Sequence, residues 1–172
     1  MEVSIRSWRI EDAERIAIAL NNPNVQNNLR DGIPLPYTVR DAESFIRSTL
    51  DAEPDSQYHF AIVVDGEAVG SIGISRKVNV HRLTAEMGYY LAEPHWGRGI
   101  VTRAVKSACG YIFANTDIVR IFAEPYAYNS ASCRVLTKAG FTLEGILRKN
   151  AIKNGEVLDM MLYSILKEEY GA

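Results

Sequence analysis

The stretch Ala85 to Ile112, A-E-M-G-Y-Y-L-A-E-P-H-W-G-R-G-I-V-T-R-A-V-K-S-A-C-G-Y-I, decides the reading of this chain. Met87 to Leu91 is a compact apolar and aromatic run ending before Pro94, the pattern of a buried strand. Gly97-Arg98-Gly99 follows, and then Val101, Ala104, Val105, Ala108 and Ile112 recur at helical spacing. The order is therefore strand, glycine-rich turn, helix. A helix N-terminus offers unpaired backbone N–H groups and the positive end of the helix dipole, and glycines let a ligand approach the main chain. The stretch reads as an anion cradle, most simply for phosphate, although a G-x-G before a helix is also what a plain tight turn looks like.

Two familiar phosphate loops are excluded by spacing. A Walker loop needs Lys followed by Ser or Thr after its second glycine, where Ile100-Val101 stands, and a dinucleotide fingerprint needs a third glycine where Thr102 stands. Instead, Trp96 to Val101 resembles the pyrophosphate-binding segment of the GNAT superfamily of N-acetyltransferases, in particular its RimJ/RimL-like branch, with the motif Q/R-x-x-G-x-G/A. Gly97, Arg98, Gly99 and Ile100 match. Trp96 stands where Gln or Arg is common, as that branch often shows, and Val101 where Gly or Ala is usual.

Working outward, Val3 to Trp8 alternates as a half-buried strand, and Ala13, Ile16, Ala17 and Leu20 mark one face of a first helix. Asn21 to Pro36, rich in Asn, Pro and Gly, reads as an irregular connection. Thr38 to Asp41 forms a capping-box pattern opening a helix over Val39 to Leu50. Tyr58 to Val64 and Ala68 to Ile74 flank Asp65-Gly66, a hairpin signal, and Leu83 to Leu91 adds the next strand. Ile118 to Glu124, closed by Pro125, makes a strand parallel to the one before the glycine loop. Asn129 to Gly140 is a second, shorter helix with a cap at Asn129 or Ser130 and a stop at Gly140. Phe141 starts the next strand, and Leu147 to Asn150 and Val157 to Leu166 surround the Asn154-Gly155 turn. The last strand is apolar on both faces and belongs inside the sheet.

This order is also that of the GNAT fold. The piece N-S-A-S-C-R-V-L-T-K-A-G-F from Asn129 to Phe141 resembles that superfamily's second segment, and G-I-L-R from Gly145, the Asn154-Gly155 turn and Asp159 resemble the RimJ/RimL-like branch. The resemblance covers nearly the whole chain. It implies an α/β fold over residues 1–172, with a mixed, mostly antiparallel sheet of about seven strands, a central splayed parallel pair and about four flanking helices.

Composition sets bounds on function. The chain has 172 residues, 47% of them hydrophobic, enough for one sizeable core and too few for two ordinary domains. A net charge of −2 without a Lys/Arg cluster gives no reason to expect nucleic acid, and no apolar run reaches membrane-spanning length. A cytoplasmic protein, monomeric or homodimeric, is the expectation. Cys109 and Cys133 read as core-filling thiols. His59, His81 and His95 lack metal-ligand spacing and read as surface or loop residues; no metal is expected.

The chemistry that the resemblance implies is transfer of an acetyl group from acetyl-CoA to a primary amine, a protein N-terminal α-amine or a small molecule. An alkylammonium, with a pKa near about 10, must lose a proton before attack. Glu86, just before the Gly88-Tyr89 segment, is the candidate acceptor, unless it only pairs with Arg82. A backbone N–H near Tyr90 or Leu91 would meet the thioester oxygen. Many relatives protonate the leaving thiolate with a Tyr; the matching position here is Leu136, so Ser132 is the candidate donor. The cofactor set implied is Tyr90, Leu91, Trp96, Gly97, Arg98, Gly99, Ile100, Val101, Thr102, Asn129 and Ser132. The rival reading is a non-catalytic acyl-CoA sensor, which the loss of the tyrosine would suit.

Overall fold

The computed structural model describes residues 1–53 and 55–171. Its elements run β1 (Val3–Arg6), α1 (Ala13–Leu20), α2 (Pro23–Gln26), α3 (Val39–Leu50), β2 (Gln57–Val64), β3 (Glu67–Arg76), β4 (Thr84–Leu91), α4 (Ile100–Asn115), β5 (Arg120–Ala123), α5 (Ser130–Ala139), β6 (Thr142–Lys153) and β7 (Glu156–Leu166). The strands form one sheet in the order β1-β2-β3-β4-β5-β7-β6. All neighbours are antiparallel except β4 and β5, the pair spanned by the glycine loop and α4. β7 lies inside the sheet, as its two apolar faces require.

Each face of the sheet carries its own core. On one, Ile62, Ile72, Ile74, Ala85, Met87 and Leu91 pack against Ile100, Ala104, Val105, Ala108 and Ile112 of α4, with Leu136 and Ala139 of α5 alongside. On the other, Ala61, Val63 and Ala68 meet Ile16, Ala17 and Leu20 of α1 and Ala42 and Ile46 of α3, with Trp8 and Val25. Successive side chains of a strand leave opposite faces. In β4 this sends Ala85, Met87, Tyr89 and Leu91 toward α4 and α5, and Glu86, Gly88 and Tyr90 toward α1 and α3.

Three details are corrected. The Asn21–Pro36 connection, expected to be irregular, contains α2, which brings the α-helices among the described residues to five. Asn22 caps it by accepting the Asn24 N–H at 2.8 Å, and Pro23, fixed near helical φ, opens it. The first strand stops at Arg6, since Arg6 turns to bond both carboxylate oxygens of buried Asp12 at 2.7 and 2.8 Å. Finally, Thr142 to Lys153 is one strand, its pairing shifting between Leu143 and Gly145 and between Leu147 and Ala151.

Candidate active site

The site follows from where β4 and β5 part. Their pairing covers three residue pairs, ending at Glu86 opposite Phe122, while β4 continues to Leu91. Beyond Glu86 the backbone groups of β4 on that side lose their strand partner. The Ala92 N–H turns to β3, bonding the Val69 carbonyl at 2.8 Å. Strand alternation therefore aims the N–H of Leu91 into the gap, which selects Leu91 over Tyr90 as the free donor. The Leu91 carbonyl on the same side accepts the Trp96 indole N–H at 2.7 Å, tying the glycine loop to the strand end.

A cleft of about 750 Å³ runs through this gap. At one end lies the glycine loop. Gly97 and Gly99 have φ of +76° and +71°, in the left-handed region that favours glycine, and Gly99 is the N-cap of α4. A Cβ on either would meet nothing within 4 Å, so the space before the loop is open. The first backbone bond into α4 runs from Arg103 N–H to the Gly99 carbonyl, leaving the N–H groups of Ile100, Val101 and Thr102 outside the helix's own ladder. Ile100 itself is buried, so its contribution to such a cradle is its backbone. Arg98 lines this end, joined by Arg134 and Lys138 of α5. These residues suit a pyrophosphate: open backbone donors, a helix dipole and nearby cations. The α5 cations were legible only as an exposed i, i+4 pair, a pattern that solvated faces share.

Midway, Asn129 and Ser132 enter from the start of α5. The Asn129 Oδ1 caps the helix by accepting the Ser132 N–H at 3.1 Å, which leaves its amide nitrogen for a ligand. The Ser132 hydroxyl lies 2.8 Å from that of Tyr89 on β4. Burial pushes the Tyr89 phenol well above its ordinary range, so it stays protonated and can serve as a donor. Leu136 is fully buried in the core and does not reach the cleft.

At the far end stands Glu86. Its expected partner, Arg82, instead bonds the Asn79 carbonyl at 3.3 Å. Glu86 is held by two other cations, with Lys77 Nζ 2.5 Å from Oε2 and Arg30 2.5 Å from Oε1. Arg30 also lies 3.7 Å from Glu124, just past β5. Burial pushes the Glu86 carboxyl up, but the Lys77 hydrogen bond and the charges of Arg30 and Lys77 outweigh it and hold the group below its ordinary value.

Arg30 is placed by contacts distant in sequence: Tyr126 donates to the Leu29 carbonyl at 3.2 Å, Lys153 pairs with Asp31 at 2.8 Å, and Asn22 and Asn24 both donate to Glu93. Asn28 to Asp31, with Ile33, thereby wall the cleft. Two histidines also belong to the site rather than to the surface. His59 and His95 line the cleft, whereas His81 is exposed. The His59 ring packs edge-on against Phe45 and over Gly73, and burial lowers its pKa. Among the described residues, no group of three or more His, Cys, Asp or Glu could hold a metal ion, and no helix is long and apolar enough to cross a membrane.

Comparison with known proteins gives this geometry a context. The acetyltransferase (GNAT) domain family matches residues 2–142. The probable N-acetyltransferase YjcK of Bacillus subtilis is 38% identical over 136 residues, covering 77% of this chain and 75% of that protein. Spermidine N(1)-acetyltransferase of Escherichia coli is 27% identical, over 98% of this chain and 88% of that one. In structure, Mycobacterium smegmatis RimJ in complex with CoA-disulfide superposes with a TM-score of 0.87 at 26% identity, covering 99% and 84% of the two chains.

Proposed function

Because the chain belongs to the acetyltransferase (GNAT) family, we propose that it transfers the acetyl group of acetyl-CoA to a primary amine by direct attack within a ternary complex. The observation that carries this reading is the single cleft that joins an open glycine cradle, a free strand N–H and a carboxylate. The backbone N–H groups of Ile100, Val101 and Thr102, with Arg98, Arg134 and Lys138, would hold the phosphates. The Asn129 amide would hold the pantetheine arm. The Leu91 N–H, fixed by the β3 ladder, would donate to the thioester oxygen as it gains charge. Bringing both reactants into one cleft supplies the orientation that a covalent enzyme intermediate would otherwise provide.

Glu86 faces the acceptor end and would stabilise the amine's proton and pass it on. Its two cation partners keep it ionised, so it acts as an anion throughout the neutral range. At the other side of the thioester, Tyr89 and Ser132 form a hydroxyl pair that would donate to the leaving sulfur. The sensor reading rested on Leu136, but a phenol supplied by β4 removes the need for one from α5.

The activity is tested with an amine panel read by CoA thiol release: peptides of varied N-terminus, aralkylamines, polyamines and aminoglycosides. Acetyl-CoA binding without turnover of any acceptor would favour the sensor. Ser132→Ala is expected to lower turnover about tenfold, equal to about 1.4 kcal/mol of barrier, while acetyl-CoA binding by calorimetry weakens less. Tyr89→Phe should behave alike, and the double variant should lose less than the product of the two, since contacting residues in one relay are not additive. Wild-type turnover by Ser132→Ala would leave Tyr89 as the sole donor.

A further inference from the structure

The Arg30 guanidinium lies 2.5 Å from Glu86 and 3.7 Å from Glu124. Glu86 on β4 and Glu124 just past β5 stand on the two sides of the point where the strands part, with side chains only 17% and 22% exposed. The guanidinium lying against both comes from a loop, on a side chain that is 60% exposed. Lys77, the other partner of Glu86, is more firmly placed: it bonds Oε2 and lies 5.4 Å from the centre of the Phe122 ring. The buried hydroxyl of Tyr90, on the same face of β4 as Glu86, has no hydrogen-bond partner, and between them Gly88 leaves open space where a side chain would begin.

We propose that the acceptor's ammonium group enters between Glu86 and Glu124 by displacing Arg30, and that this place takes one positive charge, so that the acceptor is a singly charged amine rather than a polyamine. The proposal rests on the acetyltransferase reading and names the substrate class of the same cleft.

Displacement is open to the guanidinium because its own side chain is largely exposed and can return to water, while the two carboxylates exchange one cation for another. It also preserves local charge. Glu86 and Glu124 are balanced by Lys77 and Arg30 at rest, and by Lys77 and the ammonium when the acceptor is bound. A second ammonium on the acceptor would have no counterion to meet. Of the acidic residues lining the cleft, Asp31, Glu86 and Glu124, the first is already paired with Lys153 at 2.8 Å. Toward the glycine loop the charged lining residues are Arg98, Arg134 and Lys138, all cations. The uncharged part of the acceptor would lie over Gly73 and Gly88, beside Phe45, Ile33 and the His59 ring, which burial favours in its neutral form. This floor suits an apolar or aromatic group and offers a polycation nothing.

The test uses the full chain and its Arg30→Ala and Glu124→Gln variants, with phenethylamine and alanyl-phenylalanine amide as singly charged acceptors and spermidine as the polycation. Losing the competing guanidinium should lower the KM of the singly charged acceptors by up to about fivefold in Arg30→Ala, and losing a carboxylate should raise it by a similar factor in Glu124→Gln. Spermidine should be poorer than either by about tenfold or more in kcat/KM in the unsubstituted protein. Methylguanidinium, refilling the vacated place, should compete with the amine in Arg30→Ala. A higher acceptor KM in Arg30→Ala, as when the guanidinium grips an anionic part of the acceptor, overturns the proposal, and so does a preference for spermidine. Should no amine be acetylated, the enzymatic reading fails separately. Thermal stabilisation of Arg30→Ala by methylguanidinium, lost on adding Glu124→Gln, then still reports the cation site, and its absence refutes it.

Discussion

Glu86→Gln is expected to lower turnover about 100-fold, at the low end for loss of an acid–base group, with acetyl-CoA affinity retained. The carboxylate lies at the acceptor end of the cleft, away from the glycine loop, so its loss should act on the chemical step and on the amine. The shape of the pH profile carries further information. Lys77 and Arg30 hold the Glu86 carboxyl below the ordinary glutamate value of about 4.3, so it does not titrate near neutrality. A rise in rate between about pH 6 and 9 would then report deprotonation of the acceptor ammonium, whose pKa is near about 10. The variant should show the same rise, lowered by one factor at every pH. An acidic limb that persists in Glu86→Gln and vanishes in His59→Gln would instead make the His59 imidazole, which burial favours in its neutral form, the proton acceptor.

What could be read from the sequence is what local chemistry determines. Asp65-Gly66 and Asn154-Gly155 set their hairpins because both adopt positive φ at the turn, at +49° and +89° for the first and +52° and +81° for the second. Gly140 stops α5 for the same reason, at φ +99°. The compact apolar and aromatic run of β4 and the helical period of α4 mark the central unit, and Asn129 caps α5 as its position implied. The acceptor end was far less legible. Arg30, Lys77, Glu86 and Glu124 meet only because β4 pairs with β5 across the α4 crossover and because residues 27–31 are held by Tyr126 and Lys153. No local spacing encodes those contacts. His59 looks like an ordinary strand residue until its pairing with Gly73, and that of Gly73 with Gly88, places the ring over a glycine floor. Tyr89 and Ser132 lie 43 positions apart, and only the packing of α5 on the α4 face of β4 joins their hydroxyls.

Gly99→Val is expected to weaken acetyl-CoA binding about tenfold or more, or by at least about 1.4 kcal/mol, in a protein that still folds. Two effects must be separated. A side chain at φ +71° costs about 1–2 kcal/mol in backbone strain, which could disturb the loop without any direct contact. A β-branched side chain would also stand where a phosphate must approach the N–H groups of Ile100, Val101 and Thr102. Because a Cβ at Gly99 meets nothing within 4 Å, the protein itself offers no clash, and the obstruction falls on the ligand. Gly70 is the opposite case: a Cβ there would lie 2.4 Å from the Tyr90 carbonyl and would damage the sheet itself. Gly66→Val is the useful control. Its φ of +89° imposes comparable strain in open space, but in the β2–β3 turn, outside the cleft. Both variants should therefore lose thermal stability, while calorimetry should find the affinity loss only in Gly99→Val. Unsubstituted-protein affinity in both variants would remove the glycine loop from the acetyl-CoA site, and equal losses in both would trace the effect to backbone strain rather than to an obstructed cradle.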